Sequence, residues 1–133
     1  MYSLRVLLVD RSDTFVAAVI RVLLADPHVS LIACACSARE ALAEATALRP
    51  DVMLVEVSLA DMSGFDLARQ IKAFADAPLV FLLALHDTLE YRAAAAAAGA
   101  DGFICKEDFS VTWQPLLSGC SSTPAATVVE TRL

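Results

Sequence analysis

The chain has 133 residues, of which 58% are hydrophobic and 20% are charged, and its formal net charge is -6. This length predicts one domain with a core that needs no disulfide or metal to hold it. No apolar run approaches the roughly 20 residues of a membrane span, the start shows no signal peptide, and the negative charge argues against direct nucleic-acid binding. We therefore expect a cytoplasmic domain.

The chain contains four cysteines, and their spacing does not match a structural zinc site. The residues are Cys34, Cys36, Cys105 and Cys120. Cys34 and Cys36 occupy alternate positions of one predicted strand and therefore share one of its faces. We expect free thiols without a metal-binding or redox role, because a buried cysteine usually acts as a small hydrophobic residue.

Apolar patterning alternates between strand and helix five times along the chain. The predicted strands cover residues 5–9, 29–35, 52–57, 79–85 and 102–105. The predicted helices cover residues 13–24, 38–48, 64–74, 88–98 and 109–117. Repeated strand–helix units indicate right-handed crossovers and a parallel sheet with helices on both faces, which is an α/β fold.

Capping residues support the predicted helix ends. Ser12 or Asp13 begins the first helix, and the segment that starts at Ser37 has the spacing of a capping box. Gly99 is typical of the left-handed residue that follows a helix. Pro115 lies inside the fifth predicted helix, where it either weakens the helix or opens a separate last turn, and the pattern leaves both interpretations open.

Charged residues follow three of the predicted strands. Asp10 comes directly after the first strand, and Glu56 follows the apolar run of the third. Ligands of open α/β sheets bind at the carboxyl ends of the strands, so this is where we expect a functional site. Lys106 follows the fifth strand, and we expect it to form a salt bridge with Glu56 or Asp10.

Three stretches of the chain resemble the receiver domains of response regulators. They are residues 5–10, 50–67 and 98–106. The resemblance extends over roughly residues 4–118. It implies a flavodoxin-like sheet with strand order 2-1-3-4-5 and five helices in a receiver-like domain over residues 1–118. Residues 119–133 are then a flexible tail or the start of a linker.

The metal site of the family is altered in this sequence. Receiver domains usually carry two acids after the first strand, and these hold Mg²⁺ together with a phosphoacceptor aspartate. Asp10 stands at the first acidic position, Arg11 at the second and Glu56 at the phosphoacceptor position. A guanidinium in place of a carboxylate removes a ligand and repels the metal, by about 4 kcal/mol for two unit charges ~4 Å apart at a dielectric near 20. We expect Mg²⁺ binding to be lost or weak, with no other cofactor.

The residues that read the phosphoryl group are altered as well. The resemblance places Ala84 where the family has a threonine or serine, and alanine has no hydroxyl to donate. Lys106 matches the pocket lysine of the family, and Phe103 matches its switch aromatic. Glu56 is one methylene longer than aspartate, which moves its carboxylate out by about 1.5 Å and disfavours in-line transfer. The same length leaves open that Glu56 imitates an activated state.

We therefore expect an atypical receiver, or pseudo-receiver, that acts in two-component signal transduction by protein–protein interaction, without aspartyl phosphorylation and without enzymatic activity. Two alternatives stay open. One is a receiver that is phosphorylated at another acid, such as Asp61. The other is a flavodoxin-like module that binds a small ligand or cofactor, against which Asp10 and Asp13 would repel a phosphate.

Six consecutive alanines, residues 93–98, predict a smooth, uncharged helical surface. In receivers this side of the molecule, formed by the fourth helix, fifth strand and fifth helix, commonly carries dimer and output contacts. We expect a homodimer or an output domain there, and name Ala93, Ala94, Ala97 and Phe103 as its residues. A histidine kinase or another signalling protein is the other expected partner, and no membrane or nucleic-acid contact is expected.

Overall fold

The computed structural model describes residues 3–120 of the chain. Within this range the strands are Leu4–Val9 (β1), Val29–Ala35 (β2), Val52–Glu56 (β3), Leu79–Ala84 (β4) and Gly102–Cys105 (β5). The α-helices are Asp13–Leu24 (α1), Ala38–Leu48 (α2), Gly64–Lys72 (α3), Leu89–Ala97 (α4) and Phe109–Gly119 (α5). The predicted tail lies outside the described residues from position 121 onward.

The strands form one parallel sheet in the order β2-β1-β3-β4-β5. The flavodoxin-like order that the resemblance implies is therefore confirmed. The chain moves outward from β1 toward β2 and then, after crossing back, from β3 toward β5. This reversal opens a crevice at the carboxyl ends of β1 and β3, which is where open α/β sheets bind their ligands.

Side chains of β1 show how the sheet is covered on both faces. Val6 and Leu8 pack with residues of α1 and α5, whereas Leu7 and Val9 pack with residues of α2, α3 and α4. All four are completely buried. Because alternate side chains of a strand point to opposite faces, a continuous apolar run is what a doubly covered central strand requires.

The first four helices each begin at a hydroxyl residue that accepts a hydrogen bond from a backbone N–H of the first turn. These caps are Ser12, Ser37, Ser63 and Thr88. Gly99, after α4, has φ of 81° and is left-handed as predicted. Arg49 adopts a left-handed conformation as well, with φ of 51°, so α2 ends at Leu48, two residues before Pro50.

Helix α5 continues through Pro115 to Gly119, so there is no separate last turn. Proline removes one main-chain hydrogen bond of the helix. Phe109, Trp113 and Leu117 are nevertheless buried at helical spacing, and packing of this face holds the helix together. Among residues 3–120, no helix has the length and apolar character needed to cross a membrane.

Candidate functional site

Three charged side chains meet where β1, β3 and β5 end. Asp10 follows β1, Glu56 is the last residue of β3, and Lys106 follows β5. Their exposed fractions are only 3%, 7% and 8%. We call these three residues the carboxylate–lysine pocket. A buried charge requires a partner, so the geometry among the three decides what the pocket can do.

Lys106 bridges the two carboxylates. Its Nζ lies 2.7 Å from Oε1 of Glu56, to which it donates a hydrogen bond, and 2.7 Å from Oδ2 of Asp10. The contact with Asp10 has the distance of an ion pair but not the angles of a hydrogen bond. The ammonium also lies 4.5 Å from the centre of the Phe15 ring, where the π-face attracts a cation. Lys106 is thus held from three sides.

Main-chain contacts position the carboxylate of Asp10 and the backbone of Glu56. Oδ1 of Asp10 accepts a hydrogen bond of 2.8 Å from the N–H of Ser12, the cap of α1. The backbone of Glu56 is held by Gly64, where a Cβ would lie only 2.1 Å from the Glu56 carbonyl oxygen. The N–H of Gly64 donates to the carbonyl of Val57 at 2.9 Å. Only glycine therefore allows the loop after β3 to close against the strand.

Arg11 lies at the mouth of the pocket. Its Nε is 3.9 Å from Oε2 of Glu56, and its side chain is 56% exposed. This is the distance of a loose ion pair and too long for a hydrogen bond. Oε2 of Glu56 and Oδ2 of Asp10 are both buried without a hydrogen bond. Arg11 is therefore placed at one open acceptor of the pocket.

Ala84 and Phe103 lie at the ends of β4 and β5. Ala84 is 1% exposed and pairs with Cys105, so nothing but a methyl group faces the pocket region from this position. Phe103 is half-buried, with the guanidinium of Arg92 5.2 Å from its ring centre. Arg92 is itself held by two hydrogen bonds to Asp87, which lower the pKa of Asp87 and raise that of Arg92.

The surface of α4 differs in one respect from the prediction. Ala93 and Ala97 are exposed, but Ala94 is half-buried, so the expectation that Ala94 points outward is only partly met. Ala96 takes its place as an exposed residue. The loop before α4 and its first turn add two exposed leucines, Leu85 at 69% and Leu89 at 83%. This side of the molecule therefore presents accessible apolar side chains, next to the exposed ion pair of Arg92 and Asp87.

Asp61, the alternative phosphorylation site, caps the N-terminus of α2 with its carboxylate. Its two carboxylate oxygens accept hydrogen bonds of 2.9 Å from the N–H groups of Ala38 and Arg39, in the first turn of α2. These bonds lower the pKa of Asp61. The carboxylate satisfies donors that a helix N-terminus leaves free, and it is directed to α2 and not to Lys106.

A third buried carboxylate, that of Asp26, was not predicted. It is 7% exposed and lies just after α1. Its oxygens accept hydrogen bonds from the backbone and ring of His28, from Nε1 of Trp113 at 3.3 Å and from the side chain of Gln114. The residue ties the α1–β2 connection to α5. Trp113 and Gln114 are more than 80 positions away in the chain, so no local pattern announces the contact.

One further cluster has the composition of a metal site. The Sγ of Cys105 and carboxylate oxygens of Glu107 and Asp108 all lie within 4.8 Å of one another. Both acids are exposed and therefore solvated. All four cysteines of the chain are free thiols.

Comparison with known proteins agrees with the geometry. The model of the response regulator receiver domain family matches residues 6–110, which include the whole carboxylate–lysine pocket. The chain therefore belongs to the receiver-domain family of response regulators, the receiver component of two-component signalling.

Curated relatives share this region at moderate identity. A protein-glutamate methylesterase/protein-glutamine glutaminase of Methanospirillum hungatei is 32% identical over 99 residues, which cover 73% of this chain and 28% of that protein. A protein of the same description from Aliivibrio fischeri is 32% identical over 106 residues, covering 79% and 28%. The chain thus spans less than a third of these relatives, and the match concerns the receiver domain alone.

Solved structures show the same fold. The signal receiver domain of the response regulator NarL from Mycobacterium tuberculosis is 25% identical, with a TM-score of 0.82 over 90% of this chain and 97% of that one. The chemotaxis protein CheY4 of Vibrio cholerae is 25% identical, with a TM-score of 0.74 over 87% and 98%.

Proposed function

We propose that this chain is a pseudo-receiver, which acts in the cytoplasm through protein–protein contacts and is not switched by aspartyl phosphorylation. The observation that supports this most strongly is the position of Arg11, whose Nε lies 3.9 Å from Oε2 of Glu56. The guanidinium stands where the resemblance to receivers implies a second acidic ligand of Mg²⁺, beside a glutamate that is already bonded to Lys106.

The charges of the site support the same conclusion. Asp10 and Glu56 contribute two negative charges, and Lys106 and Arg11 contribute two positive ones. A neutral site attracts Mg²⁺ weakly, and a guanidinium beside the metal would repel it. Mg²⁺ requires several oxygen ligands in a tight octahedron, so the residues present do not fit this ion. The proposed function therefore does not depend on a metal ion.

Glu56 and Ala84 together remove the remaining parts of the switch. The carboxylate of Glu56 is already bonded to Lys106 and lies close to Arg11, so it is not free to attack a phosphoryl donor. Ala84 has no hydroxyl that could hydrogen-bond to an added phosphoryl group. Because position 84 has no hydroxyl to bind a phosphoryl group, a modification of Glu56 would not be transmitted directly to Phe103. The domain is then held in one pocket state by its own side chains.

The surface formed by α4, β5 and α5 is the proposed contact with an output domain or a partner protein. It presents the exposed methyl groups of Ala93 and Ala97, beside the exposed Leu85 and Leu89. Small residues allow close approach of a partner, and the leucines add apolar area to bury. A histidine kinase or another signalling protein that recognises receiver domains is the second proposed partner.

Phosphoryl transfer measured by intact mass tests this proposal. Incubation of the wild type with acetyl phosphate and Mg²⁺ is expected to leave its mass unchanged. Reverting Glu56→Asp alone is expected to leave it unchanged as well, because Arg11 and Ala84 remain. The triple variant Arg11→Asp, Glu56→Asp, Ala84→Thr is expected to gain the mass of one phosphoryl group, which shows that the assay detects a competent pocket.

Three results would contradict the proposal. A phosphoryl group on the wild type that is lost on Glu56→Gln would mean that the glutamate is a working acceptor. A phosphoryl group that is lost only on Asp61→Asn would favour the alternative acid. A cofactor that copurifies with the chain and is displaced by changes in the carboxylate–lysine pocket would favour a ligand-binding module.

A further inference from the structure

Strand β2 forms one edge of the sheet. Within the described residues it pairs only with β1. The N–H of Asp10 donates to the carbonyl of Ala35 at 3.0 Å, so Ala35 directs its main-chain groups toward β1. These directions alternate along a strand, and therefore the N–H and C=O groups of Ile32 and Cys34 point away from the sheet. They are available to another strand.

This edge lacks the features that normally protect a free strand. Residues 29–37 contain neither a charged residue nor a proline. Natural edge strands are usually blunted by charges, especially lysine, by proline or by a covering element. An uncharged edge of this length is a template for strand pairing.

An apolar groove runs along the same edge, between α1 and β2. It has a volume of about 330 Å³ and is lined by Ile20, Leu24, Val29, Ser30, Leu31, Ile32 and Cys34. Leu24 is 73% exposed and Leu31 is 37% exposed. The groove offers apolar surface beside the open main-chain groups.

We propose that β2 pairs with β2 of a second copy of this chain, antiparallel and about a two-fold axis at Ala33. In this register Ile32 of one copy faces Cys34 of the other, and their outward main-chain groups form four hydrogen bonds. Ala33 faces Ala33 at the close, non-hydrogen-bonded position, where a methyl group fits. The two five-stranded sheets then continue into one another.

A second copy is the occupant because the edge is complementary to itself. An antiparallel pair of identical strands exchanges donors and acceptors symmetrically. The exposed residues of α1 include Asp13 in the first turn and Arg21 in the last, and a two-fold axis brings each toward the opposite charge of the other copy. The net charge of -6 disfavours self-contact over most of the surface, whereas this strand carries no charge.

The proposed contact leaves the other edge of the molecule free. Strands β2 and β5 are at opposite ends of the sheet. The homodimer that the sequence analysis expects at the α4, β5 and α5 surface is assigned in this proposal to the β2 edge instead. The α4, β5 and α5 surface then stays accessible to an output domain or partner protein in the paired form. Failure of the β2 pairing would leave the proposed function untouched.

Sedimentation of the full chain over a wide concentration range tests the pairing, with two substitutions of one exposed residue. Cys34→Pro removes the outward N–H, which an edge strand tolerates, and Cys34→Ser keeps it. The dimer loses two main-chain hydrogen bonds with proline, so we expect about 30-fold weaker self-association. The serine variant is expected to self-associate like the wild type.

A second pair of variants keeps the test valid if proline disturbs the fold. Leu24→Glu places a charge in the groove at a largely exposed position and is expected to weaken self-association without changing the circular dichroism spectrum. Glutamate at Ala93 and Ala97, on the opposite edge, is the control and is expected to leave self-association unchanged while weakening contact with an output partner.

Hydrogen exchange at the amides of Ile32 and Cys34 locates the contact. Their protection is expected to rise with protein concentration. A wild type that stays monomeric at hundreds of micromolar, or a dimer that resists both Cys34→Pro and Leu24→Glu, would overturn the proposal. Protection that does not depend on concentration would also overturn it, since it would assign the edge to a segment of the same chain.

Discussion

Replacement of Lys106 by methionine is expected to lower the free energy of unfolding by about 3–5 kcal/mol. Methionine keeps most of the length of the side chain but removes its charge. Asp10 and Glu56 would then remain 3% and 7% exposed, and among residues 3–120 the cation left beside them would be Arg11, at 3.9 Å from Glu56. Urea unfolding followed by the fluorescence of Trp113, the only tryptophan, gives the value.

The chain contains one other lysine, which serves as a matched control. Lys72 pairs with Asp101 at 2.8 Å and donates a hydrogen bond to the carbonyl of Pro78 at 2.9 Å. Its side chain is 23% exposed, so water can reach these partners, and Lys72→Met is expected to cost less than Lys106→Met, about 1–2 kcal/mol. Adding Glu56→Gln to Lys106→Met is expected to recover a large part of the loss, because one of the two uncompensated charges is gone. A loss below about 1 kcal/mol for Lys106→Met alone would show that the two carboxylates do not depend on the lysine.

Replacement of Asp26 by alanine is expected to destabilise the domain by about 3 kcal/mol. The change removes the hydrogen-bond acceptor for Nε1 of Trp113. Trp113 is 1% exposed, so solvent cannot replace this acceptor. The His28 backbone N–H, 2.9 Å from the carboxylate, loses its acceptor as well. Urea unfolding followed by far-ultraviolet circular dichroism measures the effect without relying on the tryptophan.

A double-mutant cycle separates the network from simple loss of volume. In a Trp113→Phe background the indole N–H is already absent, so Asp26→Ala is expected to cost less there, with a coupling of about 1 kcal/mol. The exposed pair of Asp66 and Arg69, 2.7 Å apart, is the control, and Asp66→Ala is expected to cost less than about 1 kcal/mol. Additive effects of Asp26→Ala and Trp113→Phe would contradict the proposed bond.

Local sequence patterns predicted most of the strands and helices of the fold. The apolar run at residues 52–55 predicts a buried strand because a doubly covered strand cannot alternate, and β3 is completely buried there. Serine and threonine caps act within one helical turn, so the starts of α1 to α4 follow from neighbouring residues. The strand order came from the resemblance to receivers, because periodicity alone does not select among parallel arrangements.

Contacts between distant segments were beyond the reach of such patterns. Asp61 caps α2 from 22 and 23 residues away, and Asp26 bonds to Trp113 across 87. Neither acid differs in its local sequence from an ordinary loop residue. Pro115 is a related case. Proline disfavours a helix locally, but burial of the helix face that contains Trp113 stabilises α5 enough to keep it continuous.

The candidate site was likewise predictable in its position but not in its contacts. Strand ends placed Asp10, Glu56 and Lys106 at the same edge of the sheet, and the resemblance to receivers implied that they would be neighbours there. Lys106 contacts both acids and has the Phe15 ring as a third contact. These contacts depend on side-chain packing between distant segments, which no strand pattern predicts. The half-buried position of Ala94 likewise depends on how α4 is rotated against the sheet.

The central claim is that Arg11, Glu56 and Ala84, at positions where the resemblance to receivers implies two acids and a hydroxyl, leave a pocket that accommodates neither Mg²⁺ nor a phosphoryl group. Amide NMR spectra recorded during titration with Mg²⁺, and then with Mg²⁺ and beryllofluoride as an acyl-phosphate analogue, test it most directly. We expect no saturable shift at the amides of Asp10, Glu56 or Lys106 at millimolar concentrations, whereas the triple variant Arg11→Asp, Glu56→Asp, Ala84→Thr responds to both. Saturable wild-type shifts confined to these amides would contradict the claim.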